Sequence, residues 1–181
     1  MPVQQSLIST MGLFWRAADV FWGRPGPDGE GRILGVPAKN RSAEPTDFRE
    51  QEGIYVLYAD YRAVYIGQTT ESQGLLKRLG QHRSDDLAER WDRFSFFGLK
   101  KVLGTNLLGQ SNAMRHVKTE HLLNHIEGIL IHAIEPPLNR QHGRFGKDIV
   151  RFLQVRDDAR LGLSQEAMIK ELWKNAAGKK N

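Results

Sequence analysis

Gly53-Ile54-Tyr55-Val56-Leu57-Tyr58 and Ala63-Val64-Tyr65-Ile66-Gly67-Gln68 are the stretches on which the fold turns. Both are dense in Ile, Val, Tyr and Leu, and the residues between them, Ala59 to Arg62, have the length of a hairpin connection. Side chains alternate faces along a strand, so Tyr55 and Leu57 share one face and Ile54, Val56 and Tyr58 the other. In the second strand Tyr65 and Gly67 share a face opposite Val64 and Ile66. Antiparallel pairing then brings Tyr55 and Tyr65 to the same side of the sheet.

Outward from the hairpin, Gly74 to His82 and Asp85 to Trp91 read as short helices, the second capped by Ser84. Phe94 to Leu99 reads as a third strand, and residues 100–116, with Gly104, Asn106 and Gly109, as a long loop. Val117 to Ile134 is the best helix in the chain, stopped by Pro136 and Pro137. At about 100° per residue, Leu123, Ile126, Leu130 and Ile134 define its expected buried stripe, with Glu127 on the shoulder. Upstream, residues 6–22 predict an amphipathic helix carrying Leu7, Met11, Phe14, Trp15, Ala18, Phe21 and Trp22 on one side. Its aromatic face suits packing on the next domain, with a partner or stacked bases as alternatives. Residues 23–47 are rich in Gly and Pro and read as a linker with a short extended piece at Arg32 to Val36. Ser164 caps a final helix to about Asn175, whose Met168, Ile169, Leu172 and Trp173 form a packing stripe. The expected domains are 1–50 (helix and linker), 51–145 (central domain) and 146–181 (helical extension).

Composition narrows the function classes. The 181 residues are 40% hydrophobic and 26% charged, a globular balance. Net charge is +5, a modest bias toward polyanions. Cysteine is absent, which removes disulfides, thiolate metal sites and cysteine nucleophiles, and fits a reducing cytoplasm. Arg16 and Asp19 interrupt the first apolar stretch, and no run reaches membrane-spanning length, so no membrane partner is expected.

Several residues carry chemistry. Hydrolysis of a phosphodiester needs an activated water, neutralisation of developing charge and a stabilised leaving oxygen. Arg78 offers a permanently charged fork that matches a phosphate, beside Lys77. His82, one helical turn on, can point at the same pocket and relay a proton. Tyr55 is a poor base with the ordinary phenol pKa of about 10, and a cationic neighbour such as Arg78 is expected to lower it. Glu127 is the residue type that holds Mg²⁺ together with waters and substrate phosphate. Each has an ordinary alternative: a solvated basic face, a helix-end histidine, a strand tyrosine, a surface glutamate. His121, His125 and His132 share one helical side, but no cysteine or nearby carboxylate completes a zinc site.

In order and spacing these residues, from Gly53 to about Arg140, resemble the GIY-YIG nuclease family. The resemblance implies an α+β fold: a small three-stranded antiparallel sheet flanked by helices, here with N-terminal and C-terminal helical extensions. It implies that Tyr55 is the first-motif tyrosine that acts as general base or orients the nucleophile, that Tyr65 is the second-motif tyrosine, and that Gly67 lets the backbone come close to the site. Arg78 matches the phosphate-binding arginine, His82 the histidine or tyrosine position, Glu127 the metal-binding glutamate and Asn139 the asparagine that braces the site. Gln68 departs from members that place lysine there; Lys77 or Arg62 are the substitutes at hand. The implied activity is a Mg²⁺-dependent (or Mn²⁺-dependent) endonuclease on DNA, with RNA still open as substrate and restriction or defence, repair and mobile-element homing all open as roles. A two-strand cut with one site per chain is compatible with a homodimer. The alternative is a catalytically inactive nucleic-acid-binding module of the same fold.

Overall fold

The computed structural model describes residues 7–26, 29–70, 72–111, 119–135 and 149–157. In chain order the elements are β1 (Thr10–Arg16), β2 (Leu34–Pro37), β3 (Thr46–Asp47), β4 (Gly53–Ala59), β5 (Arg62–Thr69), α1 (Gly74–Gln81), β6 (Arg93–Gly98), β7 (Lys100–Val102), β8 (Leu108–Ser111), α2 (Thr119–Ile134) and β9 (Val150–Val155). Asn139 and the expected helix at 164–175 lie outside the described residues.

The β4–β5 hairpin forms as its residues require. Tyr55 faces Gly67 and Leu57 faces Tyr65 in antiparallel register. Asp60 and Tyr61 make the two-residue turn with φ of 48° and 64°, the left-handed pair that matches the twist of flanking strands. The Arg93 guanidinium lies 4.3 Å from the centre of the Tyr61 ring and helps hold this non-glycine turn.

Around that hairpin the expected small three-stranded sheet is replaced by a larger one. Among the described residues seven strands run in the order β3-β2-β9-β1-β6-β4-β5, and β7-β8 is a separate ribbon. Every pairing in the large sheet is antiparallel except β1 with β9. Burial supplies the reason. Tyr55, Val56, Leu57 and Tyr58 of β4 and Phe94, Ser95, Phe96 and Phe97 of β6 are all almost wholly buried, on both faces of the sheet. Central strands of this kind need strands on their flanks and cover above and below. Each such large side chain contributes about 1.5–3 kcal/mol by leaving water.

The expected N-terminal helix is β1 together with the segment that leads to an isolated bridge from Phe21 to Arg32. Trp15 enters the core on one face, with Phe48, Phe94 and Phe96, while Met11 enters the other. The pairing of β1 with β6 shifts register between Gly12 and Trp15, and Phe14 there has φ of 54°. That bulge breaks the period of 2, and burial on both faces fills the gaps, so the pattern imitates a helix. The expected helix at Asp85 to Trp91 is a run of turns. The expected loop at 100–116 contains β7 and β8, joined through a turn in which the Asn106 amide donates to the Leu103 carbonyl at 3.0 Å.

The two described helices lie on opposite faces. Leu75 and Leu79 of α1 pack with Tyr55 and Leu57; Ile129 and Ala133 of α2 pack with Val56, Tyr58 and Phe97. The stripe of Leu123, Ile126, Leu130 and Ile134 is therefore not the buried one: these residues are between 45% and 59% exposed. His125 is buried instead, and its Nε2 accepts the Leu7 amide at 3.2 Å.

Burial also sets an alkaline limit. The Tyr58 phenol, wholly enclosed, is pushed up to about 12, with burial the largest cause. In the unfolded chain it ionises near 10. The folded state thus holds a proton that the unfolded state releases between those values. Stability from this group is complete below pH 10 and is lost as pH rises toward 12, on the order of 2 kcal/mol in all. Urea titrations at pH 9 and 11.5 are expected to show a smaller fall for Tyr58→Phe than for the unaltered chain; equal falls would remove Tyr58 as the cause.

Candidate active site between the hairpin and the first helix

Tyr55 on β4 and Tyr65 on β5 occupy the sheet face covered by α1, and their ring centres are 6.2 Å apart. His82, at the C-terminal end of α1, completes a three-ring cluster, 4.8 Å from Tyr65 and 5.8 Å from Tyr55. The Tyr55 hydroxyl lies 2.7 Å from His82 Nε2. On the other side of the imidazole, Nδ1 lies 2.6 Å from Asp85 Oδ2. Tyr55 and His82 are 0% and 4% exposed, so this pair is a buried core, and half-buried Tyr65 lies at its rim.

Gly67 explains itself at this point. A Cβ on Gly67 would overlap the Tyr55 hydroxyl and the ring carbon that bears it. The Tyr55 phenol lies across the β5 backbone because its partner in register has no side chain. Gly67→Ala is expected to cost about 1–3 kcal/mol of stability through overpacking. By displacing the phenol it should also lower any turnover by about 10²-fold. Thermal melts and steady-state rates check both. An alanine variant with unchanged rate would show that the phenol's place does not matter.

Arg78 sits on α1 between buried Leu75 and Leu79 and is half-buried. Its Nη1 donates to Gln81 Oε1 at 2.6 Å, while its Nε is buried without a partner among the described residues. Its charge reaches Tyr55 and opposes that phenol's shift, yet burial is the larger cause and the Tyr55 pKa is raised. The expected lowering by a cationic neighbour is thus reversed: desolvation outweighs the guanidinium. A phenol whose ionisation is opposed by burial keeps its proton and stands as a hydroxyl at neutral pH.

Other expected site residues fall elsewhere. Gln68 is exposed and pairs in register with Ile54, on the face opposite Tyr65 and Gly67. Lys77 lines a cleft of about 450 Å³ with Trp22, Arg49 and Arg83, in which the Arg83 guanidinium lies 4.6 Å from the Trp22 ring centre. Glu127 is exposed on α2, whose packed residues face Val56 and Tyr58 across the sheet from Tyr55. By helical angle Glu127 points away from the sheet, some 160° from Ile129. Its placement does not fit a metal held beside the phenols. Among the described residues no group of three or more His, Asp or Glu side chains is arranged to hold a metal ion. Asp85, by contrast, joins the cluster without having been singled out. Its signal was the His82-x-x-Asp85 spacing, masked by reading Asp85 as the first residue of a helix.

No family model, no curated protein and no solved structure matches this chain. Among the described residues no helix is long and apolar enough to cross a membrane.

Proposed function

We propose that this chain is a phosphodiesterase acting on nucleic acid, DNA first, built around the constellation that the GIY-YIG nucleases share. The observation that carries this reading is the meeting of Tyr55, Tyr65, His82 and Arg78 on one sheet face from three separate elements. Arg78 holds the scissile phosphate through a charge that is fixed at any working pH. Tyr65 lines the approach. Water attacks phosphorus, forming one P–O bond as another breaks. Its proton passes to the Tyr55 oxygen as the Tyr55 proton passes to His82 Nε2, and the departing oxygen is protonated from solvent. Such proton transfer is worth roughly 10²–10⁴-fold. The resemblance implies Mg²⁺ or Mn²⁺ as cofactor. Glu127 as placed does not bring one to this cluster, so no step is assigned to it. A cysteine-free chain suits the cytoplasm, and a two-strand cut from one cluster per chain would take two copies.

A second reading, a module that binds nucleic acid without cutting it, is favoured by the outward placement of Glu127. One panel separates the two: duplex DNA, single-stranded DNA and RNA, each with Mg²⁺, with Mn²⁺ and with neither. Cleavage that disappears in Tyr55→Phe supports the phosphodiesterase. Salt-sensitive binding without cleavage supports the module. A chain that neither binds nor cuts any of them contradicts both.

A further inference from the structure

We propose that Asp85 is a positioning residue: its carboxylate holds His82 as the Nδ1–H tautomer, so that Nε2 turns a lone pair to the Tyr55 hydroxyl. The consequence for catalysis rests on the phosphodiesterase reading; the tautomer does not.

The turn after α1 sets the arrangement. The His82 amide closes the helix onto the Arg78 and Gly80 carbonyls, and the Trp91 indole N–H donates to the His82 carbonyl at 3.1 Å. Between these anchors Asp85 is held from two sides. Its Oδ1 accepts the Leu87 amide at 2.8 Å while its Oδ2 faces His82 Nδ1. The Leu87 amide, more than His82, holds the Asp85 carboxyl below the usual carboxylate range. Asp85 is therefore ionised at neutral pH and can only accept. Nδ1 must then donate. With the ring neutral, Nε2 is left as acceptor, and the partner 2.7 Å away must give the proton: the Tyr55 hydroxyl.

The alternative tautomer would have Nε2–H donate to the phenol oxygen and leave Nδ1 and the carboxylate as two facing acceptors. Such a ring cannot take the Tyr55 proton. The groups that face the imidazole are Tyr55, Tyr65 and Asp85, with the Arg78 charge acting on both Tyr55 and Asp85. Of these, Asp85 alone is an anion at neutral pH. When the proton arrives on Nε2, the imidazolium faces that anion, so one residue both sets the tautomer and stabilises the product of transfer, as in acid–base triads of unrelated folds. Nearly half of the Asp85 side chain is exposed and Asn has nearly its shape, so Asp85→Asn opens no cavity in the core.

The test uses ¹⁵N-resolved NMR of the full chain, with Asp85→Asn and Asp85→Glu beside it, and steady-state kinetics on whichever nucleic acid it cuts. The unaltered chain is expected to show protonated Nδ1 and unprotonated Nε2 at His82. In Asp85→Asn, whose amide can donate to Nδ1, the Nε2–H form should grow. The kcat should fall by about 10²–10⁴-fold with KM little changed, and Asp85→Glu should recover part of it. A His82 that is the Nε2–H form in the unaltered chain, or is indifferent to Asp85→Asn, overturns the proposal. If no substrate is cut, the NMR result still decides it, so its failure and the failure of the phosphodiesterase reading are told apart.

Discussion

On the proposed phosphodiesterase reading, Arg78→Ala is expected to slow cleavage by about 10³-fold or more. The magnitude follows from what a fixed guanidinium does at a transferring phosphoryl group, where donors aimed at developing charge are each worth about 10²–10³-fold and a dedicated arginine more. Leu75 and Leu79 on the same helix are buried and set its angle, so the guanidinium is delivered rather than left to search. Stability should change by under about 1 kcal/mol, because the side chain is half-buried and its Nε already lacks a partner among the described residues. Arg78→Lys should recover a minor part, since an ammonium supplies charge but not a two-pronged donor. Single-turnover cleavage rates with denaturation curves on the same samples check this. An alanine variant that cuts within about tenfold of the unaltered chain would take Arg78 out of the site.

The largest expected loss of stability lies at the other glycine of the motif. Gly53→Ala should cost about 3 kcal/mol. Gly53 has φ of 141°, a region side chains rarely enter, and a Cβ there would overlap the Phe97 carbonyl oxygen. The residue opens β4 and pairs with Gly98, so strain at that point pulls on the ladder that holds Phe96 and Phe97 in both halves of the core. Gly80→Ala is the control. A Cβ at Gly80 meets nothing, and the residue is helical, so the change should be neutral or stabilise by about 0.5–1 kcal/mol. Urea midpoints at constant slope measure both. A Gly53→Ala protein as stable as the original would show that the strand start relaxes freely.

The hairpin and its motif were legible because their signals are local: alternation along each strand, a turn between them, and phenols placed by parity. Residues 150–155 gave no comparable signal, since β9 owes its strand form to β1 and β2, which are remote in sequence. The start of the chain misled because its bulge at Phe14 shifted the phase. For α2, existence was readable but orientation was not. Leu123, Ile126, Leu130 and Ile134 make one apolar side and Ile129 and Ala133 another, and spacing cannot choose which side meets a sheet. That choice also moved Glu127 away from the expected cavity. In the cluster, the positions of the aromatic and cationic members follow the motif, while Asp85 depended on a turn that the propensities of Asp85 to Trp91 disguised as helix.

The parallel seam of β1 with β9 has a bearing on biogenesis. The first long strand and the last described one are neighbours, and β9 also carries the β2–β3 ribbon. A nascent polypeptide leaving the ribosome can form the hairpin and β6 early, but β1 keeps one bare edge until residues 150–155 emerge. An exposed edge of that kind invites pairing with other chains. Synthesis halted shortly before Val150 should therefore yield an aggregation-prone fragment rather than a smaller folded protein.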